Sequence, residues 1–277
     1  MTEYAIELKN IVKTFGSVVA NNNINVELKQ GEILALLGEN GSGKTTLMNM
    51  LSGIYQPDSG EILVNGEKVV IHSPEDSKKL GIGMVHQHFK LVDVFDATDN
   101  IFMGAEKKKY GLKEKLAETE RNESAGGSPL KGRLFLKKMR ECFKAAAFDI
   151  KNLFLTDNRY ESLSEISKKF GFNIDPRKKV YDMSVSEKQT VEILKVLYYG
   201  AKVIILDEPT AVLTVQEIKK LFEVLKNMKE QGHSIIIITH KLNEVMEISD
   251  RVTIMRKGEF VKTVETSETN EQELTDL

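Results

Sequence analysis

Short apolar runs separated by turn signals fill the first 90 residues. Residues 4–12 and 24–28 read as strands. Residues 32–37 form a nearly continuous apolar run, as a strand buried on both faces requires. A glycine-rich turn follows, and then a helix over 44–51. A strand over 61–64 closes on Asn65-Gly66, a strong turn pair. Ser73-Pro74-Glu75-Asp76 opens a helix: Ser caps, Pro takes the first position, and acids fill the first turn. Gly81 ends that helix, and 82–86 reads as a strand. Further on, 187–199 reads as a helix and 203–206 as a buried strand. The helix over 215–231 is amphipathic, with Ile218, Leu221, Phe222, Leu225 and Met228 at the 3.6-residue spacing. A strand over 234–239, a helix over 241–248 and a last core strand over 251–256 complete the pattern. Strands alternating with helices imply a parallel sheet covered on both faces.

The pattern breaks after residue 95. Residues 106–141 hold 11 Lys/Arg against 6 Asp/Glu, and 122–129 has the composition of a flexible connector. Helical segments follow over 134–154 and 160–170, so 96–179 reads as a helical insertion in an α/β core. A basic run of this kind reads first as solvated surface and second as a contact with anionic lipid headgroups. The whole chain, with 39 basic and 41 acidic residues, has no general pull toward nucleic acid. Its longest apolar runs, 33–37 and 235–238, fall far short of the ~20 residues needed to cross a bilayer. Met1-Thr2-Glu3 does not begin a signal-peptide pattern, and a lone cysteine, Cys142, excludes an internal disulfide, so a reducing cytoplasm fits.

Chemistry enters at Gly38-Glu39-Asn40-Gly41-Ser42-Gly43-Lys44-Thr45, which matches G-x-x-x-x-G-K-[ST] in full and is followed by Thr46. Glycines let the backbone wrap and turn its N–H groups toward phosphate oxygens. The helix that follows adds its positive end. In such a loop Lys44 neutralises the β- and γ-phosphates and Thr45 ligates Mg²⁺. The buried strand over 203–206 delivers Asp207 to the same metal, and Glu208 stands where a carboxylate can orient or deprotonate water. Gln87 and His240 also follow strands, at the carboxyl ends where open α/β sheets place ligand contacts. Gln87 can hold a water or the metal, and His240 can donate to a γ-phosphate oxygen.

The order of Gly38–Thr45, Gln87, Met183–Glu187, Asp207–Glu208 and His240 resembles the ATP-binding cassette of ABC transporters over nearly the whole chain. The resemblance implies one ATP-binding domain over 1–277, with a core of 1–95 and 180–268 and the helical insertion of 96–179. It implies a P-loop fold: a mostly parallel core sheet, an N-terminal antiparallel β subdomain and an inserted helical subdomain. Under it Gln87 is the Q-loop glutamine, Glu208 the catalytic base and His240 the switch histidine. Phe15, in Lys13-Thr14-Phe15-Gly16, falls where the family stacks an aromatic on adenine. His86-Gln87-His88-Phe89 and Thr210-Ala211-Val212-Leu213-Thr214 resemble the importers of simple sugars and nucleosides, and the first looks more like the nucleoside branch. The implied partners are a second cassette, membrane permease subunits and, indirectly, a substrate-binding lipoprotein. The implied location is the cytoplasmic face of the membrane, held peripherally.

One motif departs from the family. The signature, usually Leu-Ser-Gly-Gly-Gln, is Met183-Ser184-Val185-Ser186-Glu187. Ser184 and Ser186 would face the phosphates held by the partner cassette. Ser186 adds a Cβ where close approach favours glycine, and Glu187 puts a carboxylate where an amide is usual. Two other readings stay open: a soluble ABC ATPase of translation or DNA repair, and a catalytically weak, regulatory half. Residues 273–277 read as the start of an unfinished segment.

Overall fold

Ile33–Leu37 (β3) has no polar side chain, and all five residues are buried. Such a strand belongs inside a sheet covered on both sides. In the computed structural model, which describes residues 3–103 and 156–276, β3 lies between β8 (Ser234–Thr239) and β9 (Arg251–Arg256), parallel to both. Next to β8 come β7 (Val203–Asp207) and β6 (Ile82–Val85), also parallel. The basic run of 106–141 with its connector, Cys142 and the helix read over 134–154 lie outside the described residues.

The N-terminal strands pair antiparallel. β1 (Tyr4–Phe15) lies between β2 (Val18–Lys29) and β4 (Ser59–Val64), and β4 pairs with β5 (Glu67–Val69). β10 (Glu259–Glu265) joins the two halves: it is antiparallel to β9 and meets β2 through one parallel bridge, Glu259 to Asn22. The sheet order is β5-β4-β1-β2-β10-β9-β3-β8-β7-β6. The fold is therefore the mixed α/β architecture expected, with β5 and β10 added. The hydrophobic pattern misses β10 because Phe260, Val261 and Lys262 are all exposed, so no face of it is marked apolar. It ends β1 early and starts β2 late because the polar run Asn21-Asn22-Asn23 and the left-handed Asn10 and Asn23 sit at register shifts.

Helices cover both faces. Leu47, Met48 and Leu51 of α1 (Lys44–Leu51) pack with Leu34, Leu36, Ile205 and Ile236. On the other face, Phe222, Leu225 and Met228 of α6 (Val215–Glu230) meet Ile33, Leu206, Ile235 and Ile237. Burying each of these side chains contributes about 1.5–3 kcal/mol. Thr214 and Glu217 close a capping box at the start of α6. A third cluster joins α3 (Ala97–Phe102), α4 (Thr156–Phe170) and α5 (Val185–Tyr198) through Ala97, Ile101, Leu163, Val191 and Leu194. The remaining α-helices among the described residues are short: α2 (Pro74–Lys79), α7 (Leu242–Ile248) and α8 (Glu271–Asp276). Ser73 caps α2 and Pro74 takes its first position, as the sequence predicts.

Candidate functional site

Strand β3 delivers the chain into the loop at 38–43, and α1 carries it away. The glycines at the ends of this loop are forced by contact. A Cβ on Gly38 would fall on the Met255 carbonyl oxygen and 2.7 Å from Ser42 Oγ. Gly43 caps α1 at φ +91°, and a Cβ there would strike the Ala20 carbonyl. Asn21, fully buried, donates its side-chain N–H to the Gly43 carbonyl at 3.2 Å. The loop is thus wedged between the β2 backbone and the end of β9.

Lys44 is buried, with 5% of its surface exposed. Its ammonium donates to the carbonyls of Gly38 (2.7 Å) and Glu39 (2.8 Å) and to Ser42 Oγ (3.2 Å), so the loop accepts all three N–H donors. Burial holds its pKa below the ordinary lysine value, against the pull of Glu208, Asp207 and Glu39.

Asp207 and Glu208 leave the end of β7 side by side. Thr45 Oγ1 donates to Asp207 Oδ1 at 3.4 Å. Burial raises the Asp207 pKa, Thr45 opposes the rise, and the charge of Glu208 adds to it. Glu208 adopts φ +47°, the left-handed region, and its N–H donates to the Ile238 carbonyl at 3.0 Å. A non-glycine residue held there stores of order 1 kcal/mol, a pattern that clusters at functional sites. Its Oε1 lies 2.9 Å from His240 Nδ1.

These residues border a cavity of about 500 Å³. Lys44, Thr45, Thr46, Gln87, Asp207 and Glu208 line it, with Asn40, Gly41 and Gly43. Val18, Val19, Ala20 and Lys257 complete the lining. The fold brings Gln87 to this cavity from the end of β6 and sets His240, which is outside the lining, against Glu208. Gly38, Glu39 and Ser42 are loop residues outside this lining and serve as acceptors for Lys44. The lining does not include Phe15, whose ring packs edge-on to Tyr55 at 5.1 Å, with Lys13 Nζ 5.5 Å from it. Ser184 and Ser186, at the start of α5, also lie away from this lining.

Lys257 joins the lining with no motif of its own in the sequence. It has φ +49° and, with Gly258, turns the chain from β9 into β10. The Lys-Gly pair between two β-capable runs is the signal, legible only once β10 is recognised. A larger cavity of about 750 Å³ opens elsewhere, among Lys29, Arg251, Glu265 and Asp276. Arg251 there is engaged by Glu32 at 3.3 Å and Glu265 at 3.7 Å, and no glycine-rich loop converges on it.

The donor set suits a hard divalent cation. Thr45 and Asp207 present two oxygens at contact distance, beside the open cavity that Gln87 also lines. The burial-raised Asp207 carboxylate, with Glu208 adjacent, is the arrangement that a cation relieves.

A family model described as ABC transporter matches residues 21–211. The guanosine import ATP-binding protein NupO of Bacillus subtilis (strain 168) is 47% identical over 275 residues, covering 99% of this chain and 46% of that protein. The nucleoside import ATP-binding protein NupA of Lactococcus lactis subsp. cremoris (strain MG1363) is 42% identical, covering 99% of this chain and 46% of that protein. The glucose import ATP-binding protein TsgD13 of Haloferax volcanii is 40% identical, covering 98% and 47%. The chain thus spans about half the length of the curated relatives it matches. Among solved structures, the ADP conformation of the ATP-binding cassette MJ1267 superposes with a TM-score of 0.74 at 22% identity, covering 99% of this chain and 96% of that one. At that identity the likeness speaks for the fold.

Proposed function

Because the chain belongs to the ABC transporter family, we propose that it is the ATP-binding and ATP-hydrolysing part of an importer for nucleosides or simple sugars. The observation that carries this reading is the meeting of the 38–45 loop, Gln87, Asp207 and Glu208 around one cavity. The names of the relatives favour nucleosides among the cargoes, because NupO and NupA stand at higher identity than the sugar importers.

In this reading the loop N–H groups and the positive end of α1 cradle the phosphates of ATP. Lys44 turns from the Gly38 and Glu39 carbonyls to the β- and γ-phosphate oxygens. Thr45 and Asp207 would hold Mg²⁺, with Gln87 beside them, and the bound ion would supply neutralising charge for the phosphates. Glu208, oriented by His240, takes the proton of the water that attacks the γ-phosphorus, while the bond to the β–γ bridging oxygen breaks. Val18, Val19 and Lys257 complete the cavity lining, and Phe15, packed on Tyr55, would have to turn to reach the base. Ser184 and Ser186 face the nucleotide of a second cassette.

The proposed organisation is a core of 1–95 and 180–268 with 96–179 inserted. The proposed location is peripheral, on the cytoplasmic face and against permease subunits. No helix among the described residues is long and apolar enough to cross a membrane. The docking surface would include residues 89–102 and the helical insertion, so that Gln87 links it to the γ-phosphate. Reconstitution with the cognate permeases and binding lipoprotein tests this. We expect ATP-driven uptake of labelled guanosine that Lys44→Ala abolishes. Uptake of ribose alone would reassign the cargo, and ATPase activity indifferent to the permeases would sink the import reading.

A further inference from the structure

Glu244, in the first turn of α7, is a carboxylate with 3% of its surface exposed, and the chemistry above does not use it. Its Oε2 accepts from Thr210 Oγ1 at 2.5 Å and from Thr239 Oγ1 at 3.4 Å. Its Oε1 lies 2.9 Å from Lys241 Nζ, an ion pair. Lys241 Nζ also donates to the Thr210 carbonyl at 3.1 Å and to Thr210 Oγ1 at 3.2 Å. The Lys241 backbone N–H donates to Thr239 Oγ1 at 3.1 Å. Each threonine hydroxyl thus donates to the carboxylate and accepts from Lys241. Both threonines are buried, so water competes little for these bonds.

The network brackets the Glu208–His240 contact. Thr210 stands two residues after Glu208, and Thr239 and Lys241 flank His240. The β7–β8 ladder ends at the pair Asp207–Ile238, and the Glu208 N–H adds one more bond to the Ile238 carbonyl. Beyond that point, the network ties the two departing segments to each other and to α7. The helix is a firm anchor, because Val245 shares a buried cluster with Ala35, Leu37 and Val252 of the sheet. On the Glu208 side the turn is short, with the Ala211 N–H donating to the Glu208 carbonyl at 3.2 Å. Stability alone does not call for a buried carboxylate here, since an apolar side chain fills such space without the desolvation cost. A carboxylate with fixed donors on both oxygens sets direction as well as volume.

We infer that Glu244 and Thr210 are positioning residues that fix the Glu208 carboxylate against the His240 ring. The inference rests on the reading of Glu208 as the base. The strand ladder holds the two residues on one side and the network holds them on the other. Their 2.9 Å contact is therefore built into the fold before nucleotide arrives. Without the Thr210–Glu244 bond, the turn after Glu208 loses its tie to the segment that carries His240. A base displaced by about 1 Å from the attacking water costs on the order of 100-fold in rate.

Single-turnover ATP hydrolysis by the chain assembled with its partner cassette and permeases tests this, with ATP affinity measured in parallel. Thr210→Val keeps the shape and removes the hydroxyl. Its ATP affinity should stay within about threefold of wild type, while its rate falls by roughly 10- to 100-fold. Thr210→Ser returns the hydroxyl and should recover most of the rate. Glu244→Gln turns an amide N–H toward one of the two donors and should fall as Thr210→Val does. It carries the test if Thr210→Val does not fold. In a Glu208→Gln background either change should cost no more than about twofold further, because the group it positions is already gone. A wild-type rate in both Thr210→Val and Glu244→Gln would overturn the inference. So would a full further loss in the Glu208→Gln background, which is what general loosening of the fold produces. A wild-type assembly whose rate Glu208→Gln leaves unchanged is a separate result: it removes Glu208 as the base, and the inference with it.

Discussion

Glu208 Oε1 lies 2.9 Å from His240 Nδ1, across the ends of the neighbouring parallel strands β7 and β8. When that carboxylate accepts, Nδ1–H is the donor, which orients the imidazole ring. The backbone at Glu208 is held too, by φ +47° and its bond to the Ile238 carbonyl. Both constraints fix where the carboxylate points. Glu208→Gln keeps the shape and loses the proton acceptor. We expect ATP binding to persist and single-turnover hydrolysis to fall by at least ~100-fold, the usual scale for a lost general base. A rate equal to wild type would make Glu208 a structural acid.

Lys44→Ala should abolish most ATP affinity and turnover. The ammonium is buried against the loop and already partly desolvated, so it meets a phosphate without losing much more water. Such a cation is worth a few kcal/mol in the transition state by order of magnitude. Calorimetry and a phosphate-release assay check this together. Unchanged affinity and turnover would remove the loop from the site.

Asp207→Asn should stabilise the nucleotide-free protein. Burial raises the folded-state pKa above the unfolded value near 3.8. The fold thus prefers the protonated acid: its contribution is complete below about pH 3.8 and is lost as pH rises through the folded value. At pH 7 the charged form is a net cost. Asparagine removes the charge and can still accept from Thr45. The melting temperature at pH 7 should rise. The gain should shrink toward pH 4, and Mg-ATP should stabilise the variant less than wild type. A lower melting temperature at pH 7 without nucleotide would contradict the assignment of the cost to burial.

Much of this site was legible because its parts announce themselves locally. The 38–45 loop is a contiguous string, and β3 and β7 are apolar runs that end at the residues they deliver. Gln87 and His240 carry no such mark. Their place at strand ends and in the family order is what singles them out, and only the fold brings one to the cavity and the other to Glu208. Lys257 was hidden because β10 shows no buried face, so the hairpin that presents it could not be read. Ser184 and Glu187 carry a local signal: S-x-x-E before a helix is a capping box, and the structure forms it. Glu244 looks in sequence like an ordinary polar position of a short helix. Its burial depends on a partner, Thr210, 34 positions away.

The capping box changes what the altered signature should do. The sequence argues that Glu187 places negative charge beside a partner's phosphates. In the structure both its oxygens accept from Lys178 Nζ, at 2.7 and 2.8 Å, and Oε2 also accepts the Ser184 N–H at 2.7 Å. Burial works against its ionisation, but the bonds from Lys178 and Ser184 outweigh that and hold its pKa below the ordinary value. The carboxylate is charged, paired and turned to Lys178. The Ser184 N–H is consumed, so the Val185 and Ser186 N–H groups and the Ser184 hydroxyl are left for phosphate. Any weakness of closure over the partner's nucleotide then falls on the Ser186 Cβ and the lost donor, with Glu187 charge masked. Lys178→Ala should unmask it and weaken ATP-dependent pairing by about fivefold, the scale of a partly exposed ion pair. Glu187→Gln should gain little in the wild type and recover most of that loss in the Lys178→Ala background, a coupling that a double-mutant cycle isolates. Ser186→Gly should raise the turnover of the partner's site and leave this chain's own site unchanged. Additive effects of Lys178→Ala and Glu187→Gln, with no gain from Ser186→Gly, would show that the signature end of α5 does not discriminate between the two sites.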